Sequence, residues 1–211
     1  MNDDEIYEAR LELVDFPIEV FHDVPTEEFL DGLLTDGVTV PDDSVNETLD
    51  RGFERIGDFV EANEGADPAA LSDELNTEYT RVFVGPRPPV LAHETYFRED
   101  TEFIGKGLAQ VQASYSAAGW SPPEDYPEED DHVAVELAFL RRLIQLQRGG
   151  AEEAFGYERV FIDEHLGQWI GEFAADVREA TDEPLFLAGA DVAEGLVEFE
   201  DELVAQMVPG S

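Results

Sequence analysis

Apolar side chains recur at helical spacing along nearly the whole chain. Residues 4–22 carry Ile6, Leu11, Leu13, Val14, Ile18 and Phe21, with Pro17 as an expected kink. Pro25-Thr26-Glu27-Glu28 reads as a helix start before Phe29, Leu30, Leu33 and Leu34. From Asp42 to Ala62 the apolar positions Val45, Leu49, Phe53, Ile56 and Val60 keep the helical period, and Gly65 ends it. Asp67-Pro68 opens another helix with Leu71, Leu75, Tyr79 and Val82 on one face. Gly85-Pro86-Arg87-Pro88-Pro89 cannot be helix interior, because proline lacks the amide hydrogen and clashes with the preceding turn.

A helix is expected to resume near Asp100 and to run through Ile104, Leu108, Val111 and Tyr115 to Gly119. A second loop follows, from Ser121-Pro122-Pro123 to Pro127. Glu129 to Gln147 gives the strongest pattern: Val133, Leu137, Leu140 and Ile144, widened by Phe139, Leu143 and Leu146. So broad an apolar face predicts a central, mostly buried helix. Gly149-Gly150 breaks it. Ala151 to Ala180 is helical again through Phe155, Phe161, Leu166, Ile170, Phe173 and Val177, and a last helix spans about 185–207. Gly37 to Val40 is too short to count as a strand. The pattern therefore predicts an all-α fold, a single globular domain over residues 1–211 with eight to ten helices.

Charge changes the picture more than composition does. The chain has 51 Asp plus Glu against 12 Lys plus Arg, a formal net charge of −39. A small soluble domain typically carries about 2–8 charges in magnitude. A phosphate-binding surface is basic, so nucleic acid is an unfavourable partner, and anionic membrane surfaces are disfavoured for the same reason. On a sphere of roughly 20 Å radius in plain water, this charge repels itself by on the order of 150 kcal/mol. The unfolded chain shares part of that term, yet net stability is only ~5–15 kcal/mol. At 1 M salt the Debye length falls to ~3 Å and the repulsion shrinks with it. Eleven of the twelve cations are arginine and one is Lys106. The sequence thus reads as a protein adapted to molar salt, in a halophile's cytoplasm. A disordered acidic chain is the alternative, and 14 Phe, 6 Tyr and 2 Trp argue against it.

Absent cysteines exclude disulfides and thiolate metal sites. The N-terminal Met1-Asn2-Asp3-Asp4-Glu5 has no basic or apolar region of a signal peptide, and no apolar run is long enough to span a membrane. No P-loop surrounds Lys106, and Gly105-Lys106-Gly107 reads as closely packed helix interior. No His-x-x-x-His spacing suggests a metal, and no cofactor is indicated. Two Pro-rich loops each lead to a histidine beside a carboxylate, His93-Glu94 and Asp131-His132. A small hydrolase or lyase could use His132 as base, oriented by Asp131 or by Glu136 one turn on. However, sequence neighbours point apart and no nucleophile elbow accompanies them. The bland reading has Asp131 capping the helix and His132 packing beneath the loop. His165 shares a helical face with Phe161 and Trp169, a core pattern. A generic helical interaction module is a further alternative.

Three ordered stretches resemble the TorD/DmsD/NarJ-type assembly chaperones of molybdenum-containing oxidoreductases. The first is Glu78-Tyr79-Thr80-Arg81-Val82-Phe83-Val84-Gly85-Pro86 with Pro89 and His93-Glu94-Thr95-Tyr96. It is similar to the family's Tyr-x-x-x-Phe helix end and Pro-rich loop. The second, Glu129 to Leu140, resembles its Glu-Pro-Asp-His loop and following helix. The third, Phe161 to Trp169, resembles Phe-x-x-x-His-Leu-x-x-Trp. Asp130 stands where the family usually has proline, which implies a less rigid loop.

The resemblance implies an all-helical cytoplasmic chaperone, not an enzyme. It would hold a molybdopterin oxidoreductase catalytic subunit of the dimethyl sulfoxide, trimethylamine N-oxide or nitrate reductase type, through the twin-arginine signal segment or another part, until the cofactor is inserted. Some members bind guanine nucleotide, which no residue pattern here supports. Such helical folds exist as monomers or domain-swapped dimers. A signal segment pairs an apolar run with two arginines, so its site needs apolar walls and carboxylates. The implied client-binding residues are Tyr79, Phe83, Pro86, His93, Glu94, Tyr96, Asp131, His132, Glu136, His165 and Trp169, with Phe139 as a further wall. Glu94, Asp131 and Glu136 are the expected partners of the arginines.

Overall fold

The computed structural model describes residues 3–41, 44–98, 106–123 and 126–207. Among them the chain forms ten α-helices and two π-helical turns. Four helices come first: α1 (Asp3–Phe21), α2 (Glu27–Asp36), α3 (Glu47–Ala62) and α4 (Pro68–Tyr79), the last running on into a π-helical turn at Thr80–Val84. After the first Pro-rich loop come the short α5 (Glu94–Phe97) and α6 (Lys106–Ala117). After the second come α7 (Val133–Arg148) and α8 (Glu153–Phe161), which continues through a π-helical turn (Ile162–Leu166) into α9 (Gly167–Ala180). The final helix is α10 (Pro184–Met207). No strand occurs among the described residues, and the all-α expectation holds.

Local chemistry fixes the helix starts. Thr26 Oγ1 accepts from the Phe29 amide at 3.1 Å, and Pro68 opens α4 as the starting signals predict. Two starts fall later than the apolar pattern suggests. α3 begins at Glu47, because the Asn46 side chain takes the Leu49 amide at 2.7 Å while donating to the Gly195 carbonyl at 2.8 Å. Val45 is left outside the helix and exposed, and Asp42 lies outside the described residues. α7 begins at Val133, not Glu129, because His132 is its cap. Pro17 sits inside α1 without ending it. The expected start of α6 near Asp100, with Ile104 and Gly105, lies outside the described residues. Lys106 stands in that helix's first described turn.

α7 is buried along most of its length, as its wide apolar face predicts, but it shares the centre with α10. α3, α9 and α1 pack on α10, and α1 packs also on α7. The sequence understates α10 because its buried face uses Ala188, Gly189, Ala190, Ala193 and Gly195, which carry little hydrophobic signal. Small residues allow a close approach instead. A Cβ at Gly195 would stand 2.6 Å from the Leu49 amide nitrogen, so α3 can lie against α10 only at glycine.

Buried charge ties the same helices. Arg10 of α1 donates to Glu200 of α10 at 2.7 and 2.9 Å and to Gln147 of α7 at 2.9 Å. It also pairs with Glu158 of α8 at 3.3 Å. Asp191 of α10 collects Arg51, Arg55 and Arg178 at 2.6–3.0 Å.

Candidate functional site

The two Pro-rich loops meet as a pair of crossing backbones. The Glu94 amide donates to the Asp131 carbonyl at 3.0 Å, and the Val133 amide donates to the Ala92 carbonyl at 2.8 Å. These two bonds form an isolated antiparallel bridge between His93 and His132. Residues far apart in sequence thereby share one joint, and their side chains extend it.

Asp131 serves the first loop, not its own helix. Its Oδ1 lies 3.0 Å from His93 Nδ1, and its Oδ2 accepts from the Thr95 amide at 3.2 Å and the Thr95 hydroxyl at 2.6 Å. Burial works against the anion, but the His93 and Thr95 bonds outweigh it and hold the carboxyl below its ordinary range. The cap of α7 is His132, whose Nδ1 accepts from the Ala134 amide at 3.2 Å and lies 3.1 Å from the Tyr126 hydroxyl. The expected roles are thus exchanged: the histidine caps and the aspartate reaches across. Burial, then the charge of His93, pushes the His132 pKa down to about 3. A general base works best with a pKa near the operating pH, and one whose Nδ1 lone pair is held by the Ala134 amide is not poised for that task. The Asp131–His132 dyad of the hydrolase reading does not form.

A second layer joins the third sequence stretch. Glu94 is fully buried and takes His165 Nδ1 at 3.0 Å and Arg98 Nη1 at 2.5 Å. His165 Nε2 lies 2.9 Å from the Ser114 hydroxyl of α6. Glu136 Oε2 accepts from Trp169 Nε1 at 3.1 Å, while Oε1 has no donor among the described residues. Full burial and the nearby Glu94 charge raise the Glu136 pKa well above the carboxylate range. A proton on Glu136 turns its orphan acceptor into a donor, the stable answer for two carboxyls confined together.

The predicted residues divide by exposure. His93, Glu94, Asp131, His132, Glu136, His165 and Trp169 belong to the joint, and all but His93 are buried. Tyr79 and Phe83 pack in the core beside it. Tyr79 donates to the Phe21 carbonyl at 3.1 Å, and the Phe83 ring stands 5.1 Å from the Tyr79 ring. Phe139 is buried against Tyr115. Pro86 and Tyr96 are exposed, Tyr96 by 65%, and so are Val84 at the end of the first π-helical turn and Leu91 of the first loop. The π-helical turn at Ile162–Leu166 interrupts the helix between Phe161 and Trp169, which the apolar spacing predicts as continuous. Asp130 does not loosen its loop, since its carboxylate takes Gln112 at 2.7 Å and its carbonyl takes the Tyr115 hydroxyl at 2.8 Å. Sequence reasoning passed over Thr95, Arg98, Ser114 and Tyr126. The i,i+4 spacing from Glu94 to Arg98 was the available signal for one of them.

Helices held by a locked polar joint, with apolar side chains displayed on one of its loops, define a binding scaffold. Residues 42–175 match the nitrate reductase delta subunit family, and the chain belongs to that family. It is 26% identical over 191 residues to the chaperone protein TorD of Vibrio parahaemolyticus, covering 86% of this chain and 82% of that protein. It is 29% identical over 151 residues to the selenate reductase assembly chaperone protein of Thauera selenatis, covering 68% of this chain and 77% of the relative. A TorD chaperone of Vibrio cholerae is 22% identical over 203 residues, or 93% and 87% of the two chains. No solved structure matches the chain. No helix among the described residues is long and apolar enough to cross a membrane.

Proposed function

We propose that this protein is an assembly chaperone, not an enzyme, for the catalytic subunit of a molybdopterin oxidoreductase. It engages the apo-subunit, including its twin-arginine signal region, until the cofactor is in place. The observation that carries this reading is the convergence of the three family-like stretches on one hydrogen-bonded joint, through Asp131–His93, Glu94–His165 and Glu136–Trp169. Kinship to relatives named as TorD and selenate reductase assembly chaperones supports it.

In this reading the first loop is the contact face. Pro86, His93 and Tyr96 meet the client, while Glu94, Asp131, His132, Glu136, His165 and Trp169 set the loop's shape from below and Tyr79 and Phe83 support it. The whole chain acts as one domain in a salt-rich cytoplasm, which the net charge of −39 favours. The test is retention of a tagged molybdoenzyme catalytic subunit from the same cell in molar KCl. The wild type is expected to hold the apo-subunit and to release it once cofactor is inserted, and Tyr96→Ala is expected to weaken retention several-fold. Failure of every candidate subunit to co-purify overturns the reading.

A further inference from the structure

Five buried side chains between α8 and the end of α9 step by four residues: Phe161, His165, Trp169, Phe173 and Val177. In an α-helix each such step turns the side chain by about 40°, so the row would drift by about 160° and Val177 would face away from the side that Phe161 occupies. The extra residue of the π-helical turn at Ile162–Leu166 takes back about 100° of that drift. The whole row thereby stays on the core.

Such a turn crowds the residue that closes it and leaves carbonyls short of helical donors, and this chain provides for both. The Gly167 amide donates to the Ile162 carbonyl five residues back. A Cβ at Gly167 would stand 2.7 Å from that oxygen, closer than a side chain tolerates, so the closing residue is glycine. The Gln168 side chain donates to the Asp163 carbonyl at 2.9 Å. Arg98 reaches in from the end of α5 and donates to the Glu164 carbonyl at 2.9 Å. At the other end of the first loop, the π-helical turn at Thr80–Val84 closes in the same way. The Gly85 amide donates to the Thr80 carbonyl at 2.7 Å, and a Cβ on Gly85 would stand 3.1 Å from that oxygen. The first loop therefore leaves one π-helical turn and docks on the other.

The docking holds α5 at three points. His165 Nδ1 meets Glu94 at 3.0 Å, the Glu164 carbonyl meets Arg98, and the Trp169 ring stacks on Phe97 with centroids 5.4 Å apart. These contacts surround Tyr96, the exposed ring of α5. A register shift of one residue would rotate Glu164, His165 and Trp169 by about 100° and break all three contacts together. We propose that the π-helical turn at Ile162–Leu166 positions α5, and with it Tyr96, for the client, with Gly167, Gln168 and Arg98 as its positioning residues. That Tyr96 meets a client rests on the chaperone reading; the hold on α5 rests on the turn itself.

Hydrogen exchange reads that hold directly. The Glu94 amide is bound to the Asp131 carbonyl and the Thr95 amide to the Asp131 carboxylate, so both exchange faster when α5 comes loose. Gly167→Ala forces a methyl group onto the Ile162 carbonyl and should speed exchange at both amides by about tenfold or more. Gln168 is exposed, so Gln168→Met removes the donor to Asp163 without disturbing the core. It should speed exchange by about fivefold, the loss of one hydrogen bond, with an unchanged urea midpoint and unchanged exchange in α3. Gln168→Lys keeps a donor and should match the wild type. With a tagged catalytic subunit in molar KCl, Gly167→Ala and Gln168→Met should each weaken retention several-fold, and Gln168→Lys should not. Wild-type exchange at Glu94 and Thr95 in both Gly167→Ala and Gln168→Met overturns the proposal. So does a rise by the same factor in α3, which reports general destabilisation only, and so does full retention of the subunit by a variant whose α5 is loose. If the subunit is retained but α5 does not respond, the positioning role fails and the chaperone reading stands. If the wild type retains no subunit while α5 responds as expected, the chaperone reading fails and the hold of the π-helical turn on α5 stands.

Discussion

His132 caps α7 with a ring nitrogen that must stay unprotonated, since Nδ1 accepts from the Ala134 amide. Its folded pKa of about 3 lies far below the ~6.5 of an unfolded histidine. Between those values the unfolded chain takes up a proton that the folded chain refuses. The stabilisation is therefore complete above about pH 6.5 and declines as pH falls toward 3, by up to ~1.4 kcal/mol per pH unit. Asn is a good cap and does not titrate. His132→Asn is accordingly expected to flatten the fall in urea midpoint between pH 7 and 5, with m unchanged, and a slope equal to wild type would refute this account. Asp131 adds a loss of the same sign at lower pH, below the ordinary carboxylate range. The motif singles out both residues. Their exchange of roles was not legible in it, because a cap and a cross-loop acceptor look alike until the second loop is in place.

Helix boundaries were legible wherever a capping residue or a glycine marks them, as at Thr26 and at Gly150, whose φ is +87°. They were misjudged where apolar residues continue past the cap, as at Val45. The π-helical turn after Phe161 was invisible, since one extra residue in a helix leaves the apolar pattern nearly intact over one turn. The packing of α3 on α10 gives the element-scale prediction. Gly195→Ala places a methyl group 2.6 Å from the Leu49 amide nitrogen, and backbone cannot yield there as a flexible side chain can. It is expected to cost ~1–3 kcal/mol in chemical denaturation despite alanine's better helix propensity. Stabilisation instead would mean that α3 and α10 are not locked in this register.

Across the whole molecule, Arg10 joins α1, α7, α8 and α10 from a position only 3% exposed. Arg10→Met leaves Glu158 and Glu200 facing each other without a cation, and removing one partner of a buried ion pair typically costs ~3–5 kcal/mol. The loss is expected to shrink at lower pH, where one of the two carboxyls can take a proton, and denaturant midpoints at pH 8 and 5 measure it. Such a junction cannot be read from a sequence in which acidic residues occur in nearly every segment. The sequence by itself determined the helical class, the breaks at glycine and proline, the acidic surface and the three stretches that mark the family, because each depends on the residues themselves or on neighbours within a turn or two. Only the tertiary structure decided that His93 meets Asp131, that Glu94 meets His165 and that α5 docks on the second π-helical turn. Those pairings depend on how helices cross, which is set by close-packing of side chains remote along the chain and not by any local period.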